Sequence, residues 1–225
     1  MDGILIVDKP QGMTSHDVVD FIRKKFALKK VGHAGTLDPM ATGVLVVLIG
    51  KSTKSSQHFI SDDKDYEGEL ILGSTSDTGD AWGKVEGTGT EVAYTAEEIK
   101  AAFDKFEGET QQFPPMYSAI KHKGKKLYEL ARKGITVEVE PRKISVKNIR
   151  ILKIGLPAVS FRLTCSKGTY VRQIAIDIGK ALGCGAHLSR LIRTRSGKFN
   201  ISDAVTIDRI KEFSPADLEK ALCSI

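Results

Sequence analysis

Apolar residues recur along the chain with three different spacings. A continuous apolar run from Gly3 to Val7 stops at Lys9-Pro10 and predicts a buried strand. Behind Thr14-Ser15, which can cap a helix, Val18, Val19, Ile22 and Phe26 follow at helical spacing. The segment VGHAGTLDPMATG is rich in glycine and small residues and predicts a loop, with Asp38-Pro39 at its centre. Val44 to Ile49 is a strand with no polar face, and Lys64 to Gly73 is another strand. A polar, turn-rich stretch precedes a helix that Thr95 and Glu98 cap as a box and that runs through Phe106. The chain is then extended at Pro114-Pro115, crosses a basic turn at Lys121 to Lys126, and forms a short helix closed by Gly134. Arg142 to Leu152 and Val159 to Cys165 alternate as half-buried strands do. Thr169 is expected to cap a helix whose one face carries Val171, Ile174, Ala175, Ile178 and Leu182, ended by Gly183 and Gly185. His187 to Phe199 is basic and extended, and two short helical segments follow, Pro215 starting the second. Strands and helices intermix without strict βαβ alternation. This predicts an α+β fold, a mixed and largely antiparallel sheet flanked by helices.

Composition narrows the class. Of 225 residues 41% are hydrophobic and 28% charged, which suits a globular chain with a real core rather than a disordered one. The formal net charge of +6 suits a polyanionic partner, and the charge is unevenly spread. Basic clusters stand at Lys24, Lys25, Lys29 and Lys30, at Lys121, Lys123, Lys125 and Lys126, and at Arg190, Arg193, Arg195 and Lys198, while acidic residues gather from Asp62 to Asp80. That asymmetry points to a one-sided electrostatic footprint. Three cysteines without a CxxC spacing argue against a disulfide framework or a structural zinc site and for a reducing, cytoplasmic setting. Five scattered histidines offer no metal-ligand spacing. The start, MDGILIVDKP, lacks the form of a signal peptide, and the longest apolar run is too short to span a bilayer, so no membrane role is expected.

Candidate chemistry centres on a few side chains. Gly50-Lys51-Ser52 resembles the end of a phosphate-binding loop, but Leu45 occupies the position where that motif needs glycine. Asp38 before proline is ordinarily a turn former. In a loop with Gly32, Gly35 and Gly43, where a ligand can approach the backbone, it is also a candidate nucleophile or base, with His33 close in sequence. Arg172 lies in the first turn of its helix, where a cation opposes the helix dipole, so it is either solvated or serves an anion such as a phosphate or Asp38. Tyr66 and Tyr170 are either core aromatics or platforms for an extruded base.

Five blocks taken together are specific: IVDKPQGMTSHDVV, GHAGTLDPMATGVL, DYEGELILG with STSDTGDAWG, FPPMYSAIKHKGKKLYELARKG, and CSKGTYVRQIAIDIGKALGCGAHLSRLIRTRSGKF. In this order, from about residue 2 to residue 205, they resemble the TruB family of tRNA pseudouridine-55 synthases. The resemblance implies the pseudouridine synthase fold over 1–205, with about 64–133 as a lobe inserted on the common sheet. It leaves 206–225 as a short helical segment, where many bacterial members carry a small RNA-binding domain. It also implies an isomerase that needs no cofactor or metal and acts on the T-loop uridine of tRNA without a protein partner. By position in the motifs, Asp38 matches the catalytic aspartate, Tyr66 the active-site tyrosine and Arg172 the arginine that pairs with the aspartate. Tyr170 matches a tyrosine packed at the active site, His33 a histidine near the flipped nucleotide and Leu191 a leucine lining the pocket. Charge clustering alone nominates Lys121, Lys123, Lys125, Lys126, Arg190, Arg193 and Arg195 as phosphate contacts.

The chemistry is consistent with these residues. Making pseudouridine breaks the N1–C1′ bond, turns the uracil and rejoins it through C5, so nothing is added or oxidised. An ionised carboxylate can attack C6 or C1′, or deprotonate the sugar. Two other readings share the motifs: a guide-RNA-dependent pseudouridine synthase subunit, and a tRNA-folding factor without essential catalysis.

Overall fold

The structure is a computed structural model that describes residues 1–223. Strand β1 (Gly3–Lys9) leads into helix α1 (Ser15–Lys25), β2 (Val31–Ala34) and β3 (Thr42–Ile49). A 3-10 turn over Gly50–Ser55 and α2 (Ser56–Ser61) precede β4 (Lys64–Leu72). Next come β5 (Ser74–Ser76), β6 (Val85–Gly87), α3 (Ala96–Asp104) and β7 (Gly108–Gln112). The two-residue strands β8 (Lys121–His122) and β9 (Lys125–Lys126) lead to α4 (Leu127–Ala131). The long strands β10 (Arg142–Gly155) and β11 (Ala158–Cys165) are followed by α5 (Val171–Leu182) and β12 (Ala186–Ser196). The chain closes through β13 (Phe199–Asn200), a 3-10 turn, β14 (Val205–Thr206), α6 (Ile207–Glu212) and α7 (Pro215–Ala221). The last two residues of the expected closing segment, 206–225, lie outside the described residues. None of the described helices is long and apolar enough to cross a membrane.

Local chemistry explains the helix starts. Thr14 accepts the Asp17 N–H at 3.0 Å while the Asp17 carboxylate accepts the Thr14 N–H at 2.7 Å, a full capping box. Thr95 with Glu98 and Ser214 with Asp217 repeat it. Thr169 does not cap α5 as expected. Its hydroxyl donates to the Ser166 carbonyl at 2.9 Å, and Tyr170 is the N-cap residue without a side-chain bond. Gln112 serves there instead, accepting the Tyr170 N–H at 2.8 Å and donating to the Tyr170 carbonyl at 3.1 Å. Gly183, with φ of +82°, closes the helix in the left-handed region.

The chain forms two compact units, one made of Met1–Glu67 with the residues from Leu191 onward, the other of Gly68–Arg190. In the first unit the strand order is β14-β1-β3-β12-β4, with β2 also on β3 and β13 on β12. β1 and β2 pair antiparallel with β3, whereas β14 joins β1 and β12 joins β3 in parallel. The apolar run of β3, Val44 to Ile49, is covered on both faces. Leu45, Val47 and Ile49 meet Val18, Ile22, Ile210 and Leu218, while Val44, Val46 and Leu48 meet Ala34, Phe59 and Phe199.

In the second unit the order is β12-β4-β11-β10-β7, with β10 antiparallel to both β11 and β7. Helix α3 packs on α5 and β10, and Phe103 meets Phe161 edge to face at 5.6 Å. This unit begins near the start of the expected 64–133 lobe but runs on to Arg190, because β10 pairs with β7 and so ties 142–165 to the same core.

Candidate functional site

In the first unit Asp38 sits on the loop between β2 and β3, half-buried between the buried side chains of Leu37 and Met40. Its apolar neighbours Leu37 and Met40 anchor the loop, and Asp38 itself is only partly buried. The backbone is stitched at several points. The Ser15 hydroxyl accepts the Leu37 N–H at 2.8 Å and donates to the Leu37 carbonyl at 3.1 Å. The Gly12 N–H donates to the Pro39 carbonyl at 2.9 Å, and the Ala41 N–H to that of Asp38 at 3.1 Å.

Two cations lie behind this loop. Lys9 is fully buried and donates to the carbonyls of Pro10 and Met13 at 2.9 and 2.8 Å. Burial lowers its ammonium to about 8, against the attraction of the Asp38 carboxylate, which acts to raise it. Arg193, only 1% exposed, donates to the carbonyls of Val44 at 2.6 Å, Gly35 at 3.0 Å and Thr36 at 3.4 Å. It was expected among the phosphate contacts. The period of β12 corrects that: Leu191 and Arg193 point inward from one face, and Arg190 is exposed on the other. Gly43, with φ of +99°, stands opposite Arg193, and a Cβ there would lie 2.3 Å from the Arg193 carbonyl oxygen.

Arg195 is also committed. It forks onto Asp65 with bonds of 2.6 and 2.7 Å, and this bonding raises its pKa further. Tyr66, the neighbour of Asp65, points to the buried face of β4 with 8% exposure. His33 is half-buried on β2, and its Nδ1 has no hydrogen-bond partner among the described residues. Burial first, then the positive charge of Arg193, holds its pKa below the ordinary value.

In the second unit Arg172 is 4% exposed at the start of α5. Its guanidinium donates to the carbonyls of Thr78 at 2.6 Å and Tyr117 at 3.0 Å, and its Nε lies 3.6 Å from an Asp80 carboxylate oxygen. The solvated reading of Arg172 is thereby removed. Asp80 in turn orders its own turn, accepting from the Thr78 hydroxyl at 2.8 Å and the Trp82 N–H at 3.0 Å, with the Trp82 side chain 53% exposed. Tyr170 is half-buried beside Gln112. Strands β8 and β9 form a hairpin whose turn residues, Lys123 and Gly124, both have positive φ; Lys121, Lys123 and Lys125 are exposed and Lys126 is half-buried against Tyr128.

The sequence reading missed Lys9, Ser15, Asp80 and Gln112. Ser15 had a signal, because it precedes Val18 and Ile22 by three and seven positions and so lies on the buried face of α1. Gln112 acts across 58 residues, and Lys9 and Asp80 stand out only once the fold shows them buried.

Comparison with known proteins agrees with the blocks quoted above. The model of the TruB family pseudouridylate synthase N-terminal domain matches residues 23–171, and that of the tRNA pseudouridylate synthase B C-terminal domain matches residues 172–224. The tRNA pseudouridine synthase B of Opitutus terrae is 51% identical over 225 residues, covering 100% of this chain and 93% of the relative. That of Syntrophotalea carbinolica is 48% identical over 225 residues, covering 100% of this chain and 74% of the relative. Among solved structures, one chain of a Cbf5-Nop10-Gar1 complex is 32% identical with a TM-score of 0.78; the match covers 99% of this chain and 60% of that one. The family's model spans most of the sequence and the relatives match it from end to end: the chain belongs to the TruB family of pseudouridylate synthases.

Proposed function

We propose that this protein isomerises uridine 55 in the T-loop of tRNA to pseudouridine, with Asp38 as the catalytic carboxylate. The observation that carries this reading is the Asp38 loop: a half-buried aspartate on a backbone held from several sides, inside a chain matched throughout by relatives named tRNA pseudouridine synthase B. A stacked uridine is out of reach, so the base must be flipped out at a cost of a few kcal/mol. Stacking on Tyr66 returns roughly 1–3 kcal/mol of that. Asp38 then attacks C6 or C1′ or takes a proton from the sugar, the N1–C1′ bond breaks, the uracil turns and C5 joins C1′, and the proton lost from C5 is balanced by one gained at N1. His33 fills the space the base leaves, Leu191 lines the pocket, and Tyr170 and Arg172 are the supporting residues that the matched motifs assign. Exposed Lys121, Lys123, Lys125 and Arg190 contact phosphates, which position the RNA without reading its sequence. The reaction adds and removes nothing, so it calls for no cofactor, and the setting is the cytoplasm, where tRNA is modified.

The guide-RNA-dependent reading is favoured by the likeness to the Cbf5-Nop10-Gar1 structure, but at lower identity than to the relatives above. Incubating the purified protein alone with unmodified tRNA and mapping pseudouridine separates the two. Product at position 55 without guide RNA or other proteins is expected; its absence, restored by a guide, would reverse the choice. Asp38→Asn should bind tRNA within a few fold and lose turnover. Residual activity above about 1%, a barrier change under ~2.7 kcal/mol, would remove Asp38 from the chemical step.

A further inference from the structure

We infer that Ser15 and Arg193 are positioning residues for Asp38; the inference rests on the reading of Asp38 as the catalytic carboxylate. The loop from Gly35 to Ala41 has no regular secondary structure, yet each of five successive carbonyls accepts a hydrogen bond. Arg193 takes those of Gly35 and Thr36, Ser15 takes that of Leu37, the Ala41 N–H takes that of Asp38, and the Gly12 N–H takes that of Pro39. The donors come from α1 and the segment before it, from β12, and from the loop itself. Ser15 also accepts the Leu37 N–H, so one buried hydroxyl fixes both polar groups of the residue before Asp38. Arg193 reaches past the loop to the Val44 carbonyl, tying the approach to Asp38 to the strand that follows it.

Burying a guanidinium is unfavourable unless its donors are satisfied, and among the described residues the Arg193 hydrogen bonds go to backbone carbonyls in or next to the Asp38 loop. Lysine could not replace it, because a single ammonium lacks the planar fork that reaches separate carbonyls. The same reasoning applies to Ser15, whose hydroxyl is donor and acceptor at once. Displacing a reacting group by about 1 Å can slow a reaction ~100-fold without altering what binds. A loop whose job is to hold one carboxylate still has reason for this density of bonds.

The test is a series at Ser15 measured on unmodified tRNA under single turnover, with RNA affinity and thermal unfolding recorded alongside. Ser15→Ala should slow the chemical step by about 10- to 100-fold while the dissociation constant for tRNA stays within twofold. Ser15→Cys, nearly equal in size but a poor hydrogen-bonding group, should fall between Ala and wild type, and carries the test if the alanine variant does not fold. Ser15→Thr keeps the hydroxyl and should recover most of the rate. Arg193→Lys should show the same signature, a slower step at unchanged affinity. Wild-type rates in both Ser15→Ala and Ser15→Cys, or a loss found only in affinity, would overturn the positioning role. An equal loss in all three Ser15 variants would mark the residue as space filling and overturn it too. Asp38→Asn, run in parallel, separates the two readings. If it is inactive while Ser15→Ala is not impaired, only the positioning role fails; if it is active, the carboxylate reading fails and takes the positioning role with it.

Discussion

Two basic segments look alike in the sequence and do opposite things in the fold. In the β8–β9 hairpin the charges of Lys121, Lys123 and Lys125 stand in solvent on a turn set by positive φ at Lys123 and Gly124. In β12 only Arg190 does so, while Arg193 is buried on backbone carbonyls and Arg195 is forked onto Asp65. The difference is one of period. A strand sends alternate residues to opposite faces, so a row of arginines two apart is delivered inward, where each must find acceptors. The turn of the hairpin leaves Lys121, Lys123 and Lys125 exposed, and only Lys126 is drawn against Tyr128. A basic run therefore reports a footprint only after its secondary structure is known.

The largest effect that could break this contrast is on stability. Arg193→Ala should lower the unfolding free energy by about 3 kcal/mol, since bound carbonyls lose a charged donor. The readout is a urea midpoint that falls at constant m-value. Should it unfold no more easily than Lys123→Ala, Arg193 is not a structural cation. Second in size, the paired change Lys123→Ala with Lys125→Ala should weaken tRNA binding and reduce the log–log salt slope by somewhat under two units, at roughly 0.7 to 0.9 per phosphate contact. Stability should move by no more than about 0.5 kcal/mol and the modified uridine should stay the same. An unchanged slope takes the hairpin out of the footprint.

Arg195→Ala lies between the two classes. A forked pair about one-third exposed on each side should contribute about 1 kcal/mol, with the salt slope nearly as in wild type. A full unit of lost slope would return Arg195 to the footprint. The smallest effect is a pH dependence. Burial and Arg193 hold the His33 pKa below 6.5, so the unfolded chain takes up a proton that the folded chain refuses. Stability is thus fully present above 6.5 and is lost as pH falls below it toward the folded value. His33→Asn should flatten that limb; an identical acid profile in the variant would assign the limb to other groups.

What was legible in the sequence divides along the same physical line. Periodicity reports which face of an element is apolar, so β1, β3, β10, β11, α1 and α5 were readable, as were the cap at Thr14 and the box that Thr95 forms with Glu98, three residues away. The glycine-rich composition of its loop and the matched blocks brought out Asp38 as the candidate carboxylate. The bonds that hold that loop were not readable, because Ser15 and Leu37 are 22 residues apart and Arg193 and Gly35 are 158 apart. The cap expected at Thr169 failed for the same reason: a long-range competitor, Gln112, 58 residues away, reached the Tyr170 backbone. Lys9 was invisible because a lysine at the end of an apolar run is ordinarily solvated, and only the fold shows it buried.

The turn at Asp80 gives the molecule a built-in optical probe. The chain has one tryptophan, and the N–H of Trp82 is bonded to the carboxylate that also faces Arg172, while its indole stays in water. All tryptophan emission therefore originates two residues from Asp80. A shift of that turn during RNA binding registers as a change in colour or intensity, with no label attached and no second tryptophan to subtract.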